Sequence, residues 1–409
     1  MNYTGLAFFV MIVAMAVSAV VFPSVLKYAK DHDIVDNPNA RKLQRVPVPV
    51  MGGVVVYCGV VTGVMLLSGI LGQPVMLWGL LGMTVMLIVG VWDDIKDISA
   101  ILRLLIEVAV VGVFMRYTGF YIDSFHGLWG VYELPPAFAI PFSIFVGVGV
   151  INAVNLIDGV DGYSSGYGIL ACGCFALMFW SVWSPSMVCL AMVVIGALIP
   201  FFMHNVFGVR SKMFIGDGGT LMMGVLMVAL SFYSISSKGP CAALAKSEGA
   251  GLAAFCLAVL CIPVFDTIRV MTARILRGRS PFSPDKTHLH HLFIDMGFSH
   301  LGAALFILFI NLLIVGVWLL LWKMGASIDV QTYVVLFLGV MVTTGFYKFM
   351  KIHQNGGKMD EEGYPEGTKL WHAACRMGDA SHLEKGIIWR TFRRLVDGPF
   401  LGGVRKFDR

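Results

Sequence analysis

Eleven apolar runs dominate this chain, and each is about 17–25 residues long, enough to cross the ~30 Å hydrocarbon core of a membrane as a helix. Hydrophobic residues make up 57% of the sequence and charged residues only 13%, which excludes an ordinary soluble domain. We therefore predict an all-α integral membrane protein over residues 1–350, with about eleven transmembrane helices. The predicted spans lie near residues 5–26, 50–71, 74–92, 101–118, 137–154, 164–183, 186–206, 217–236, 250–271, 301–322 and 331–349.

The placement of lysine and arginine predicts the orientation of these helices. Fourteen of these residues lie in the short connections on one side of the membrane and four in the connections on the other side. Because basic connections stay in the cytoplasm, we expect a multi-pass protein of the plasma or inner membrane with its N-terminus outside. Residues 351–409 are then a cytoplasmic tail.

The tail contains one segment with helical character, residues 383–396, in which apolar and basic side chains are interspersed. This pattern suits an amphipathic helix that lies on an anionic membrane surface. A small helix that packs on the loops of the protein itself fits the pattern equally well.

Acidic and amide side chains are concentrated at the cytoplasmic ends of the predicted helices. Ionisable residues at membrane depth are costly and usually functional. The orientation rests on lysine and arginine alone, so the placement of every acidic motif on one face is independent support for a site there. The groups are Asp93, Asp94 and Asp97 after the third span, Asn152, Asn155, Asp158 and Asp161 after the fifth, Asp217 after the seventh, and Asp266 in the ninth.

The residue types in these groups suit phosphate chemistry with a hard metal ion. Carboxylate and amide oxygens suit Mg²⁺ that is held by one or two carboxylates and by substrate phosphates. The glycines in 159–162 and 216–219 permit close approach of backbone to a phosphate. A basic loop, residues 274–300, includes Arg279, His288, His290 and His291, which could contact phosphate oxygens. A zinc site at the histidines stays open, although no cysteine lies nearby.

Taken together, the motifs resemble the polyprenyl-phosphate N-acetylhexosamine-1-phosphate transferases. They occur in family order and cover residues from about 25 to 300. The matching segments are Arg41-Lys42 with Pro47–Gly53, Asp93–Asp97, Asn152–Gly162, Phe214–Thr220, Pro263–Thr267 and Ser280–His291. The resemblance implies a cytoplasmic cleft in which a UDP-sugar and a polyprenyl phosphate react to give sugar-diphospho-polyprenol and UMP. It implies Mg²⁺ as cofactor, with Mn²⁺ as the alternative.

The resemblance also implies roles for individual residues. Asp217 matches the metal-binding aspartate, and Asp93 and Asp94 match the acidic pair near the lipid phosphate. Asn155, Asp158 and Asp161 match the nucleotide-sugar site, and the histidine motif matches the loop that closes over the sugar. On this basis we predict as catalytic Asp93, Asp94, Asp97 and Asp158, and as substrate-binding Arg45, Asn152, Asn155, Asp161, Asn205, Arg279, His288, His290 and His291.

The His-x-His-His order is similar to the branch of the family that uses UDP-GlcNAc. UDP-GalNAc, another UDP-2-acetamido sugar and UDP-MurNAc-pentapeptide remain alternatives. The expected partners are the UDP-sugar, the polyprenyl phosphate and membrane lipids, with no nucleic acid, and a homodimer stays open because dimers are common among similar proteins. A transporter or lipid flippase is a different class of function, but such sites usually lie near the middle of the bilayer, whereas these carboxylates lie at helix ends.

Overall fold

The computed structural model of the chain consists almost entirely of α-helices, as the apolar runs predict. It describes residues 3–38, 46–74, 76–281, 287–359, 365–367 and 386–400. The helices in these ranges are Tyr3–Asp31 (α1), Gly52–Leu71 (α2), Leu77–Lys96 (α3), Ala100–Thr118 (α4), Pro136–Leu156 (α5), Tyr163–Ser181 (α6), Pro185–Phe207 (α7), Gly216–Ile235 (α8), Ala242–Glu248 (α9), Leu252–Val259 (α10), Cys261–Leu276 (α11), Leu289–Asp295 (α12), His300–Lys323 (α13), Ile328–Val340 (α14), Tyr347–His353 (α15) and Ile387–Asp397 (α16).

Short irregular elements and strands connect these helices. A π-helical stretch, Met341–Phe346, joins α14 to α15, and single 3₁₀ turns cover Leu128–Gly130 and Gly398–Phe400. Two pairs of short antiparallel strands are present: Val35–Asp36 (β1) with Val48–Pro49 (β2), and Gln354–Met359 (β3) with Pro365–Gly367 (β4).

Each of the eleven predicted spans coincides with a helix or a pair of helices. In the described ranges, nine helices are long and apolar enough to cross a membrane, with Ile328–Ile352 counted as one. The predicted ninth span consists of α10 and α11, which are bent by 75° and raise the number to ten if they cross together. The predicted fourth span, α4, falls outside this set because it contains three charged residues, Arg103, Glu107 and Arg116. The all-α, multi-pass membrane fold is thus confirmed, with nine or ten spans that meet these criteria.

Helix α8 is the central helix of the bundle. In its most apolar stretch 94% of the residues are buried, whereas the share is 22–67% in the other candidate spans. Helices pack closely in membranes where small residues let their backbones approach, and the start of α8 is rich in glycine. A Cβ on Gly218 would lie 2.8 Å from Val91 Cγ2 in α3, and a Cβ on Gly219 would lie 2.8 Å from Gly53 Cα in α2. The N-terminus of α8 is therefore enclosed by α2 and α3.

A short backbone pairing holds the segment before α8 against the segment before α2. Phe214 N donates to Pro49 O at 2.8 Å, and Gly52 N donates back to Phe214 O at 2.9 Å. Val50 and Phe214 form an isolated parallel bridge. Two of the predicted motifs, Pro47–Gly53 and Phe214–Thr220, are thus joined through their main chains.

The connections fall into two groups at opposite ends of the bundle, as the predicted topology requires. At the end that carries the acidic motifs, Lys30 Nζ donates to Arg210 O at 2.8 Å. At the other end, Ser237 N donates to Asp123 Oδ1 at 2.7 Å and Trp129 N donates to Asp329 Oδ1 at 2.8 Å. That the acidic end faces the cytoplasm stays a prediction from the distribution of basic residues.

The tail helix α16 packs against the end of α7. The ring centroid of Phe207 lies 4.8 Å from that of Trp389 and 5.1 Å from that of Phe392. One of the two alternatives for this segment, a helix packed on the protein itself, is therefore present in the described residues 386–397. Contact of its exposed side with an anionic membrane surface stays a prediction.

Candidate active site

Asp217 lies in the first turn of α8, where α2 and α3 enclose the helix N-terminus. Its Oδ1 accepts a hydrogen bond of 3.0 Å from Asn155 Nδ2 near the end of α5, and Asn155 also donates to Thr220 Oγ1 at 2.8 Å. The positive end of the helix dipole favours a negative charge at this position. The Asp217 side chain is 40% exposed, so its carboxylate is oriented by neighbours and remains accessible to a ligand.

Arg103 of α4 connects Asp217 to the first acidic motif. Its Nη1 lies 3.0 Å from Asp93 Oδ2 and 3.7 Å from Asp217 Oδ2, and its Nε lies 3.6 Å from Glu107 Oε1. Glu107 is fully buried and accepts a hydrogen bond from Asn152 Nδ2. A buried charge is tolerated when it is paired and hydrogen-bonded, and Glu107 has an ion-pair partner in Arg103 and a hydrogen-bond donor in Asn152.

Asp94 faces the backbone at the start of α8. Its two carboxylate oxygens accept from Asp217 N at 3.2 Å and from Gly218 N at 3.5 Å. These are two of the amide groups that a helix N-terminus leaves without an intrahelical partner. In this structure the Asp94 side chain thus orients the segment that carries Asp217.

Asp93 and Asp97 occupy different positions although they belong to one motif. Asp93 Oδ1 accepts from Ile98 N at 2.7 Å, in addition to its contact with Arg103. Asp97 ends α3 with a positive φ of 48°, and its side chain is exposed. The structure therefore brings Asp93 together with Asp217 and leaves Asp97 at the rim of the site.

The connection between α5 and α6 carries Asp158 and Asp161. Asp161 Oδ2 lies 2.6 Å from Lys212 Nζ and 2.9 Å from His300 Nδ1. Burial alone would raise the pKa of Asp161, but the hydrogen bond from His300 and the charge of Lys212 outweigh it and lower that pKa. Asp161 is therefore ionised near neutral pH.

Asp158 accepts a hydrogen bond of 2.7 Å from Ser164 Oγ, and its side chain reaches solvent. Loss of hydration among the surrounding groups, followed by the charges of Asp217 and Asp161, raises the pKa of Asp158 to about 7 despite that hydrogen bond.

Two predicted substrate-binding amides have internal partners in this structure. Asn205 is buried, its Oδ1 accepts from Gly162 N at 2.6 Å, and its Nδ2 donates to Met213 O at 3.0 Å. Asn152 Nδ2 donates to Glu107 and, at 3.0 Å, to Val148 O. Asn205 thereby joins the loop that contains Asp161 to the segment before α8.

The histidine motif is anchored by the buried carboxylate of Asp266. Its Oδ2 lies 3.0 Å from His288 Nδ1, its Oδ1 lies 2.6 Å from Arg269 Nη2, and both oxygens accept from Leu289 N at 3.1–3.2 Å. Leu289 is the first residue of α12, so Asp266 also holds the start of that helix.

His290 brings the histidine motif into contact with the connection between α5 and α6, which carries Asp158 and Asp161 and is called the acidic loop below. The imidazole packs closely on Gly159, where an added Cβ would lie 2.9 Å from His290 Cε1. The rings of His290 and His291 have centroids 4.4 Å apart. Burial, followed by the neighbouring imidazoles, holds the pKa of His290 well below its usual value, so the ring is neutral near pH 7.

Of the two arginines predicted to bind substrate, Arg279 and Arg45, the structure describes only Arg279. Arg279 is exposed, and its backbone N donates to Arg274 O at 2.9 Å. Arg45 lies outside the described residues, so its predicted role stays a prediction.

Three side chains that contact the acidic residues of the site, Arg103, Lys212 and His300, are absent from the predicted site residues. Arg103 and Lys212 belong to the fourteen basic residues from which the orientation is predicted, and His300 is the last residue of the basic loop 274–300. An arginine and a glutamate four residues apart inside an apolar helix are a signal that could have identified Arg103, since such charges usually mark a site. Lys212 has no comparable signal, because its partner Asp161 lies 51 residues earlier.

The donor set suits a metal ion that shares its coordination with a substrate. Within the described ranges, no three His, Cys, Asp or Glu side chains converge as a complete metal site. Asp217 offers an oriented, accessible carboxylate, and Asp93 lies across Arg103 from it. This arrangement fits Mg²⁺, which usually binds to one or two carboxylates and completes its shell with phosphate oxygens and water.

The helices are long enough to cross a membrane, and acidic, basic and imidazole side chains meet at one end of the bundle. The chain is therefore an integral membrane protein with a polar site at the helix ends. The sequence model of glycosyl transferase family 4 matches residues 76–235. A Bacillus subtilis (strain 168) protein named "Probable undecaprenyl-phosphate N-acetylglucosaminyl 1-phosphate transferase" is 31% identical over 302 residues, which are 73% of this chain and 80% of that protein.

Two enterobacterial proteins named "Undecaprenyl-phosphate alpha-N-acetylglucosaminyl 1-phosphate transferase" are similar as well. The protein of Escherichia coli (strain K12) is 28% identical over 280 residues, or 67% of this chain and 72% of the relative. The protein of Salmonella typhi is 28% identical over 287 residues, or 69% and 75%. The chain therefore belongs to glycosyl transferase family 4, and it is an enzyme that transfers a sugar 1-phosphate.

Proposed function

We propose that this enzyme transfers N-acetylglucosamine 1-phosphate from UDP-GlcNAc to undecaprenyl phosphate or another polyprenyl phosphate, and releases UMP. The names of the relatives support the transfer of N-acetylglucosaminyl 1-phosphate and undecaprenyl phosphate as the acceptor. The observation that carries the proposal is the accessible carboxylate of Asp217, which Asn155 orients at the N-terminus of the central helix. The product would be the lipid-linked sugar from which an envelope glycan is built.

The reaction requires two phosphate-bearing substrates to approach each other. Like charges repel by about 4 kcal/mol per pair at ~4 Å and an effective dielectric constant near 20. The N-terminus of α8 and the guanidinium of Arg103 both lie beside Asp217 and favour phosphate oxygens there. Preorganised positive groups of this kind lower the barrier by stabilising charge in the transition state.

We assign Mg²⁺ to Asp217, with Asp93 as the second carboxylate within reach. When bound, the ion would neutralise the charge of the donor diphosphate and polarise its phosphorus–oxygen bonds. The chain itself provides the orientation: Asn155 holds one oxygen of Asp217, and Asp94 holds the amides of Asp217 and Gly218. Mn²⁺ has similar ligand preferences and is the alternative ion.

We assign the donor to the loop between α5 and α6 and to the histidine motif above it. Asp161 is ionised and fixed by Lys212 and His300, so it can accept hydrogen bonds from the nucleotide or the sugar. His290 is neutral and packs on Gly159, and Asp266 fixes the Nδ1 side of His288. These contacts would place the donor between the acidic loop and α12.

In the mechanism that we favour, an oxygen of the lipid phosphate attacks the β-phosphorus of the donor in line, and UMP leaves. The lipid phosphate is mostly ionised near neutral pH, so Asp93 and Asp94 would contribute by positioning rather than by removing a proton. A covalent route through an aspartate nucleophile is the rival. A phospho-sugar adduct trapped on Asp93 or Asp94 in the absence of the lipid would decide for that rival.

The test is UMP release by the purified protein with Mg²⁺, undecaprenyl phosphate and a panel of UDP-sugars. We expect release with UDP-GlcNAc that stops with EDTA and in Asp217→Asn. Asp123→Asn, the same substitution at the opposite end of the bundle, is the matched control and should retain activity. Release only with UDP-GalNAc or UDP-MurNAc-pentapeptide would retain the reaction and change the donor, whereas no release from folded protein would refute the proposal.

A further inference from the structure

The tail helix α16 places one carboxylate on the connection between α7 and α8. Asp397 is 8% exposed, and its oxygens accept from three consecutive backbone amides, Val209 N at 3.1–3.2 Å, Arg210 N at 3.1 Å and Ser211 N at 3.0 Å. Ser211 Oγ donates to the same carboxylate at 2.9 Å. Consecutive amides that converge in this way form a concave site for an anion, and here a residue from the tail occupies it.

The connection is held from its other side as well. Lys30 Nζ at the end of α1 donates to Arg210 O at 2.8 Å. Phe207, the last residue of α7, packs against Trp389 and Phe392 of α16. The tail helix is thus attached by aromatic contacts before the connection and by a charged group on it.

The residue that follows this connection belongs to the candidate active site. Lys212 Nζ lies 2.6 Å from Asp161 Oδ2, and the same oxygen lies 2.9 Å from His300 Nδ1. The main chain then enters the pairing of Phe214 with Pro49 and Val50 and continues to Asp217. Any shift of residues 209–211 would therefore move the attachment point of Lys212.

We infer that the C-terminal helix is part of the donor site. In this inference Asp397 is a positioning residue, which fixes the backbone of residues 209–211 so that Lys212 reaches Asp161. The inference rests on the proposed function, because it assigns Asp161 to the binding of the nucleotide sugar. It predicts an effect on the KM for UDP-GlcNAc with little effect on kcat, because Asp397 acts through Lys212 on Asp161, which we assign to donor binding and not to the reacting atoms.

The test is a double-mutant cycle of Asp397→Asn and Lys212→Gln in the full-length protein, with UMP release as the readout. Loss of one charge-assisted interaction should raise the KM for UDP-GlcNAc about tenfold, with kcat within about twofold of wild type. The double variant should be no worse than Lys212→Gln alone, because both changes break the same link. Arg394→Gln, on the exposed side of the same helix, is the control and should behave as wild type.

Either of two outcomes would overturn the inference: an unchanged KM in Asp397→Asn, or KM increases that multiply in the double variant. If Asp397→Asn does not fold, Ser211→Ala removes a single hydrogen bond to the carboxylate and should raise the KM about threefold. Hydrogen–deuterium exchange of residues 208–215 adds a readout that needs no activity, and Asp397→Asn should exchange faster there. A wild-type protein that releases no UMP would refute the proposed function, while the exchange experiment would still test the attachment.

Discussion

Gly224, in the middle of α8, controls the distance between two helices that meet in the candidate active site. A Cβ at this position would lie 2.7 Å from Ile151 Cα of α5, and ordinary contact begins at 3.4 Å. Gly224→Ala should therefore force α5 and α8 apart by about 0.7 Å or more, because two backbones cannot rotate out of the way as a side chain can. Neither Gly224 nor Ile151 is a predicted site residue.

The displacement should be felt one helical turn away, at Asn155. Its hydrogen bond to Asp217 Oδ1 is 3.0 Å long, and an added 0.7 Å would lengthen it to about 3.7 Å, beyond hydrogen-bonding distance. Misplacement of about 1 Å in an active site can lower turnover about a hundredfold. We expect Gly224→Ala to lose about tenfold to a hundredfold in kcat, and about 1–3 kcal/mol of stability from overpacking.

The assay is UMP release together with thermal unfolding in detergent. Gly149→Ala is the matched control, since Gly149 lies in α5 and a Cβ there meets nothing within 4 Å. Asn155→Ala in the Gly224→Ala background should cause little further loss, because the hydrogen bond would already be broken. Wild-type turnover in Gly224→Ala, or an equal loss in Gly149→Ala, would refute the reasoning.

Three further predictions concern charged groups of the site. Asp266→Asn removes the charge that holds His288. Because a charge-assisted hydrogen bond contributes about 1.5–3 kcal/mol, we expect at least a tenfold loss of kcat/KM in UMP release. Full activity in this variant would contradict the role of Asp266 as the anchor of the histidine motif. The pKa of Asp158 is raised to about 7 in the folded protein, from about 3.9 in the unfolded chain. Its ionisation therefore destabilises the folded protein increasingly as the pH rises from about 4 to 7, fully above pH 7 and not at all below pH 4. Asp158→Asn should therefore raise the unfolding temperature at pH 8 more than at pH 5, and a gain independent of pH would contradict that cause. Arg103→Met leaves the buried Glu107 without its cation and should lower the free energy of unfolding by about 3 kcal/mol. Glu107→Gln in the same background should restore part of this loss in thermal unfolding. If the losses of stability in Arg103→Met and Glu107→Gln simply add in the double variant, the pair is not coupled.

The sequence predicts the membrane fold well because the apolar runs are local and long. Each predicted span coincides with a helix or a helix pair, and the acidic motifs meet at one end of the bundle, as the alternation of short connections requires. The 75° bend between α10 and α11 was not predicted, since hydropathy is insensitive to the direction of a helix.

Contacts between residues that lie far apart in the chain could not be predicted from the sequence. The contacts of Lys212 with Asp161 and of Asp397 with residues 209–211 join residues 51 and 186–188 positions apart. No periodicity or motif spacing encodes such a pair, because it depends on which helix ends become neighbours after packing. The glycine contacts of α8 belong to the same class, for a glycine in a sequence does not show which backbone will lie against it.

The charge balance of the assembled site connects these observations. Acidic side chains outnumber the lysines and arginines at the site in the described residues: the acids are Asp93, Asp94, Glu107, Asp158, Asp161 and Asp217, against Arg103 and Lys212, which pair with four of them. Each cation is already shared between carboxylates or held by one, so neither can by itself offset the charge of an incoming diphosphate. The excess of carboxyl groups around Asp217 therefore favours a divalent cation there, which would add to the positive groups that receive the phosphate oxygens. It follows that EDTA should weaken binding of UDP-GlcNAc as well as abolish turnover, because without the ion only Arg103 and the N-terminus of α8 would offset the charge of the donor beside Asp217.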